Sequence, residues 1–268
     1  MRSILLHIAD DDCLEPRTQV ALDLARAFDG HLACLQAVAY EYGAPGDIYG
    51  SIVAEMVTAQ REAAENLRGR CQQRLSTEDV AWSWEYEDGR ALEHVLRASS
   101  LNDVVVVGSR EPFSKASSLL ARELATRMQT PMLLVPEHLN GLNCAGTAVV
   151  AWNGSPEASR ALKAAVPLLA KAKSVLLASV LGEPGGDFDL PAVEGAEYLS
   201  RHGIGCEMTE FSFGHGSVAK VLADVAARRE AAYLVMGAYG RPRAIETVLG
   251  GVTREIFAQP PLPIFTCH

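Results

Sequence analysis

The residues of this sequence best suited to chemistry are glycines spaced along one stretch, Tyr233 to Thr253. Gly237, Gly240 and Gly250 follow the pattern Gly-x2-Gly-x9-Gly, with Gly251, Val252 and Thr253 directly behind. The apolar run ending at Met236 reads as a buried strand, and Gly250-Gly251 as the opening of a helix. Glycine lets a backbone come close to a ligand. A helix start adds free N–H groups and the positive end of a dipole, so the stretch suits phosphate. No Gly-Lys-Ser/Thr follows, which excludes a Walker loop, and the dinucleotide Gly-x-Gly-x-x-Gly is absent. Arg241 and Arg243 lie within the stretch, either to add charge-assisted contacts or to remain solvated.

Other chemistries find less support. Six cysteines are scattered without a Cys-x-x-Cys pair, which suits reduced thiols rather than a disulfide framework. His202 with Cys206, and Cys267 with His268, are ligand pairs too small for a metal site. His94, His202 and His215 have no nucleophile at a recognisable elbow, so no hydrolytic triad is expected. The acidic run Asp10-Asp11-Asp12 reads as a solvated loop after a strand. A formal charge of −9 and a pI near 5.3 argue against a nucleic-acid surface or a polybasic membrane patch. The apolar run near Met1 is too short for a signal peptide and nothing is long enough to span a bilayer, so the cytoplasm is the expected location.

The glycine stretch needs elements to position it, and the hydrophobic pattern supplies them twice. In the first series, Ile4–Ala9 reads as a strand, the spacing of Val20 to Phe28 as a helix, and His31–Ala39 as a strand. A loop over Tyr40 to Gly50, a long helix over Ser51–Leu75 and a strand over Val80–Tyr86 come next. Arg90–Leu101 reads as a helix, Val104–Val107 as a strand buried on both faces, and Met132–Val135 as a strand after a further loop and helix. Glu137 to Gly146 has no period and reads as a linker. The second series runs through a strand at Ala148–Ala151, Ser155 as N-cap with Pro156 at the first helical position, and a helix to Ala170. Strands at Val175–Leu181, Cys206–Phe213, Tyr233–Met236 and Ile264–Cys267 alternate with helices at Leu190–Arg201, Val218–Arg228 and Glu246–Ala258, with a loop over Gly182 to Gly186.

The duplication is visible in Asp103-Val-Val-Val-Val-Gly108 against Ala232-Tyr-Leu-Val-Met-Gly237, and in Ala121-Arg-Glu-Leu124 against Thr253-Arg-Glu-Ile256. Short all-apolar strands alternating with helices imply an α/β fold. Each half is expected to be a doubly wound, five-stranded, mostly parallel sheet with helices on both faces. Ligands of such sheets bind outside the carboxyl ends of the strands, where Gly237 falls.

With these residues in place, the chain resembles the universal stress protein family in its tandem two-domain form, over essentially its whole length. The resemblance implies domains at 1–138 and 145–268, a linker at 139–144, and the adenine nucleotide alpha hydrolase-like fold. It implies ATP, with or without Mg, bound in the second domain by Ala151, Trp152, Asn153 and Val180 at the ends of its first two strands. Met236, Gly237, Tyr239 and Gly240 would flank the ribose and first phosphate, and Gly250, Gly251, Val252 and Thr253 the distal phosphates. Asn153 stands where the family has Asp and Gly251 where it has Ser or Thr, which removes an acid and a hydroxyl. Trp152 either stacks on a base or plugs the pocket.

The first domain has Gly108-Ser-Arg-Glu111 without the second glycine, and Ser117-Ser118 where the third would be, so it is expected to be structural. The family pairs its domains through the last strand, here Met132–Val135 and Ile264–Cys267, giving an intramolecular pseudo-dimer open to further dimerisation. The function implied is a stress-response or signalling protein that binds adenine nucleotide and acts with an unidentified protein partner. With no general base in view, slow ATP hydrolysis is the most that is expected. The alternative is a nucleotide-independent interaction scaffold with both sites vestigial.

Overall fold

The computed structural model describes residues 1–39, 50–112, 114, 116–181, 190–212, 216–238 and 251–268. The first half contains β1 (Ser3–Ile8), α1 (Leu14–Phe28), β2 (His31–Val38), α2 (Gly50–Ser76), β3 (Ala81–Asp88), α3 (Ala91–Ser99), β4 (Val104–Gly108), α4 (Leu119–Arg127) and β5 (Met132–Val135). The second contains β6 (Thr147–Ala151), α5 (Pro156–Leu169), β7 (Ser174–Leu181), α6 (Ala192–Arg201), β8 (Glu207–Ser212), α7 (Val218–Arg228), β9 (Ala231–Gly237), α8 (Gly251–Ala258) and β10 (Ile264–Cys267). Of the elements expected from sequence, the loop over Tyr40 to Gly50 falls outside the described residues as far as position 49. The loop over Gly182 to Gly186, the strand end at Phe213 and the helix start at Glu246 also fall outside them. One helix is longer than its apolar spacing predicts. Arg17 and Thr18 take buried positions near the start of α1, so its stripe is partly polar.

The ten described strands form one sheet in the order β3-β2-β1-β4-β5-β10-β9-β6-β7-β8. Within each half every pairing is parallel, as crossover helices require. The halves meet where β5 and β10 pair antiparallel, with Phe265 opposite Leu133. The strands of one half therefore run against those of the other, and their carboxyl ends face opposite ends of the sheet.

Alternation along the central strands divides the core between two faces. Ile4, Leu6, Val104 and Val106 pack with α1 and α2, and Val150, Tyr233 and Val235 with α5 and α6. Leu5, Val105, Val107, Leu234 and Met236 face the layer of α3, α4, α7 and α8. The outer strands β3 and β8 alternate between half-buried and exposed positions, which leaves polar side chains on the sheet edges. The stretch expected as a linker is docked on α1. Leu142 and Cys144 are buried, and the Leu142 N–H donates to Asp23 Oδ2 at 2.8 Å. All six cysteines are free, and burial pushes the Cys34 thiol up to about 12 and that of Cys144 to about 11. No helix among the described residues is long and apolar enough to cross a membrane.

Phe265 is 1% exposed in the seam between the halves. Phe265→Ala is expected to lower unfolding stability by about 3–5 kcal/mol, read as a shift of the urea midpoint.

Candidate functional site

In a doubly wound sheet the crevice for a ligand opens where neighbouring strands send their connections to opposite sides. In the second half that point lies between β6 and β9, since β7 flanks β6 on one side and β10 flanks β9 on the other. β6 ends at Ala151 and the chain turns through Trp152, Asn153 and Gly154 into α5. Ser155 caps α5 as its sequence predicts, its Oγ accepting from the Ala158 N–H at 3.2 Å, with Pro156 behind it.

Two glycines fix the shape of this turn. Gly154 has φ +76°, and a Cβ there would lie 2.2 Å from the Leu190 carbonyl oxygen. The Leu190 N–H donates to the Gly154 carbonyl at 2.9 Å, so the chain entering α6 is tied across the end of β6. Gly237 ends β9 against the first turn of α5, where a Cβ would lie 2.6 Å from the Ala158 nitrogen. The glycine requirement at Gly237 thus comes from a helix packed on the strand end. From sequence alone that requirement points to the approach of a ligand.

The structure brings several of the expected residues together at this end of the sheet. Ala151 and Gly237 are half-buried at the ends of neighbouring strands, Met236 is buried, and Val180 is half-buried near the end of β7. Asn153 is exposed, and its Oδ1 accepts from the Ser155 N–H at 3.2 Å, which leaves the side-chain amide as a donor. Gly251, Val252 and Thr253 form the first turn of α8, exposed, half-buried and buried in that order. Tyr239, Gly240, Gly250, Arg241 and Arg243 lie outside the described residues. Trp152 is 4% exposed and packs against Gly195 of α6, its indole N–H donating to the Leu190 carbonyl at 3.2 Å. Of its two expected roles, this geometry supports packing against the start of α6.

Two polar groups at this crevice were missed from sequence. Glu157, in the first turn of α5, stands over Gly237; its Oε1 accepts from Arg160 at 2.7 Å. Its buried Oε2, and the buried Oγ of Ser159, have no hydrogen-bond partner among the described residues. Their signal was present in the sequence as the second and fourth positions after the Ser155 cap, but a helix start does not reveal what lies opposite it. The histidines form no shared centre. His94 faces the Asp88 carbonyl and His202 lies against Tyr198 with ring centroids 4.7 Å apart and planes tilted by 54°, while His215 lies outside the described residues. No group of three His, Cys, Asp or Glu side chains that could hold a metal occurs among the described residues.

The first half has the same arrangement of strands with different contents. Gly108 ends β4 as Gly237 ends β9, and the loop beyond it is drawn together by a bridge between Arg110 and Ser117. Ser118, expected near the place of a third glycine, caps α4 through the Ala121 N–H at 3.1 Å. His7, near the end of β1, is buried, and desolvation together with the positive charge of Arg17 depresses its pKa from 6.5 to about 3.

These halves define the class of protein: a fused pair of doubly wound α/β units, each with a crevice at the carboxyl ends of its strands. Among solved structures the chain is similar to a universal stress protein from Archaeoglobus fulgidus, at 17% identity and a TM-score of 0.70, over 98% of this chain and 97% of that one. It is also similar to a functionally unknown protein from Pseudomonas aeruginosa, at 13% identity and a TM-score of 0.58, over 99% of this chain and 92% of that one. The fold is that of a universal stress protein in tandem form. No protein-family model and no curated protein matches the sequence.

Gly154→Ala combines a strained φ with a backbone collision and is expected to cost more than about 1 kcal/mol of stability, measured by urea denaturation. His7 stays neutral in the folded protein down to about pH 3, whereas the unfolded chain takes up a proton near 6.5. Stability should therefore fall as pH drops through this window, with a slope approaching about 1.4 kcal/mol per pH unit from this group. His7→Gln should flatten that part of the stability profile.

Proposed function

We propose that the second half binds an adenine nucleotide, ATP with or without Mg, and that the chain acts as a stress-response or signalling protein. The observation that carries this reading is the switch point between β6 and β9. There Asn153 is exposed, and the first turn of α5, packed on the glycine that ends β9, carries two buried polar atoms, Glu157 Oε2 and Ser159 Oγ, without a hydrogen-bond partner among the described residues. Buried polar atoms without partners are costly, and a ligand with hydroxyl or hydrated-cation donors would satisfy them. The tandem universal stress protein fold supports the choice of nucleotide, and the proposed units are 1–138 and 145–268 joined by 139–144.

In this reading Ala151, Asn153 and Val180 line the base and ribose side, with Trp152 supporting the turn from beneath. Met236, Gly237, Tyr239 and Gly240 lie along the ribose and first phosphate. Gly250, Gly251, Val252 and Thr253 supply backbone N–H groups and a hydroxyl to the distal phosphates at the start of α8. The first half is mainly structural. Binding is the proposed activity, with slow ATP hydrolysis at most, because Asn153 cannot act as a base. A cytoplasmic location, a protein partner and further dimerisation of the fused pair complete the proposal.

Thermal melting in Mg-ATP provides the test. A ligand at about a hundred times its Kd stabilises the folded state by about 2.7 kcal/mol, so Tm should rise with nucleotide and the rise should vanish in Gly240→Val. An unchanged Tm at millimolar nucleotide, with no nucleotide carried through purification, would favour the interaction scaffold instead.

A further inference from the structure

The first half has its own switch point, between β1 and β4. Arg17 reaches into it from α1 and is fully buried. Its Nη1 donates to both oxygens of Asp11, at 2.6 and 2.7 Å, and its Nη2 donates to the carbonyl of Ala9, just beyond β1. The same guanidinium lies on Gly108 at the end of β4, where a Cβ would be 2.6 Å from Nη1. One charged, planar group thus joins the end of β1, the end of β4 and the start of α1, where a doubly wound sheet receives its ligand. Counted from the helix cap, Cys13 to Arg17 in the first half corresponds to Ser155 to Ser159 in the second. The second half has only a short hydroxyl at this step.

A second self-contact lies at the start of α4, beyond β4. α4 corresponds to α8, and at its start the Leu119 N–H donates to the carboxylate of Glu111. An anion at a helix N-terminus is held by the same free N–H groups that would hold phosphate. Here the anion is part of the chain. The loop bearing it is pinned by the Ser118 N–H on the Ser109 carbonyl at 2.8 Å. From that loop Arg110 reaches Glu137 at 2.9 Å and the carbonyl of Ala258, the last residue of α8, at 3.3 Å.

We propose that the first half is permanently occupied by its own side chains, Arg17 at the switch point and Glu111 at the start of α4, and is a locked, self-liganded counterpart of the second half. Through Arg110 it holds the carboxyl end of α8, the helix whose opening turn belongs to the second half's crevice. The first half thereby serves as a fixed frame for that helix.

Removing the guanidinium leaves Asp11, whose side chain is 3% exposed, as an unpaired buried charge. Arg17→Ala should therefore melt well below the natural chain, and methylguanidinium at tens of millimolar should restore several degrees of Tm to the variant alone. Equal effects of methylguanidinium on both proteins, or none on the variant, would overturn the proposal. A measurement on the natural chain is independent of whether the variant folds. Arginine side-chain NMR should show one guanidinium whose protons exchange with solvent on the order of ten-fold more slowly than the others, with its signals lost in Arg17→Lys. Uniformly fast exchange at every arginine would overturn it.

Discussion

The antiparallel pairing of β5 with β10 is the constraint on which the rest of the molecule depends. Each half alone would leave its last strand as an open edge, with backbone N–H and C=O groups unpaired and an apolar surface on both faces. Joining the two edges satisfies those groups and buries Phe265, Ile264, Leu133 and Leu134 in cores shared by both halves. It also reverses the strand direction across the seam. The crevices consequently open at opposite ends of the sheet, and the loop at the top of the first half comes beside the base of the second. That placement lets Arg110 reach the last carbonyl of α8.

Within this frame the halves have diverged by changing what fills equivalent space. Gly108 and Gly237 both permit a neighbouring chain to approach the end of the fourth strand. In the first half it is approached by Cys13 and the Arg17 guanidinium, and in the second by the first turn of α5. Charge follows the same division. Arg17 and Asp11 form a buried ion pair, although Arg17 Nε has no hydrogen-bond partner among the described residues, and Glu157 Oε2 and Ser159 Oγ have none there either.

Much of the fold was legible because it rests on local periodicity. The four-valine run of β4 can be buried on both faces only inside a parallel sheet, and Ser155-Pro156 marks a helix start by stereochemistry alone. The site was legible only in outline. Asn153, Val180 and Met236 could be placed at strand ends, but the surroundings of Trp152 depend on Gly195 and Leu190, which are remote in sequence. α1 hid its first turns because Arg17 and Thr18 are polar yet buried, which no hydrophobic pattern records.

By itself the sequence determined two successive α/β halves, their strand and helix types, and a glycine-punctuated stretch retained in only one of them. These follow from side-chain period, capping chemistry and backbone freedom, all of which act over a few residues. The pairing of Met132–Val135 with Ile264–Cys267 was expected from the family resemblance; only the tertiary structure decided that Gly237 makes room for a helix and that Arg17 and Glu111 occupy the first half. Those outcomes depend on which groups meet across the fold, where desolvation makes each buried charge or polar atom depend on partners that the linear order does not name.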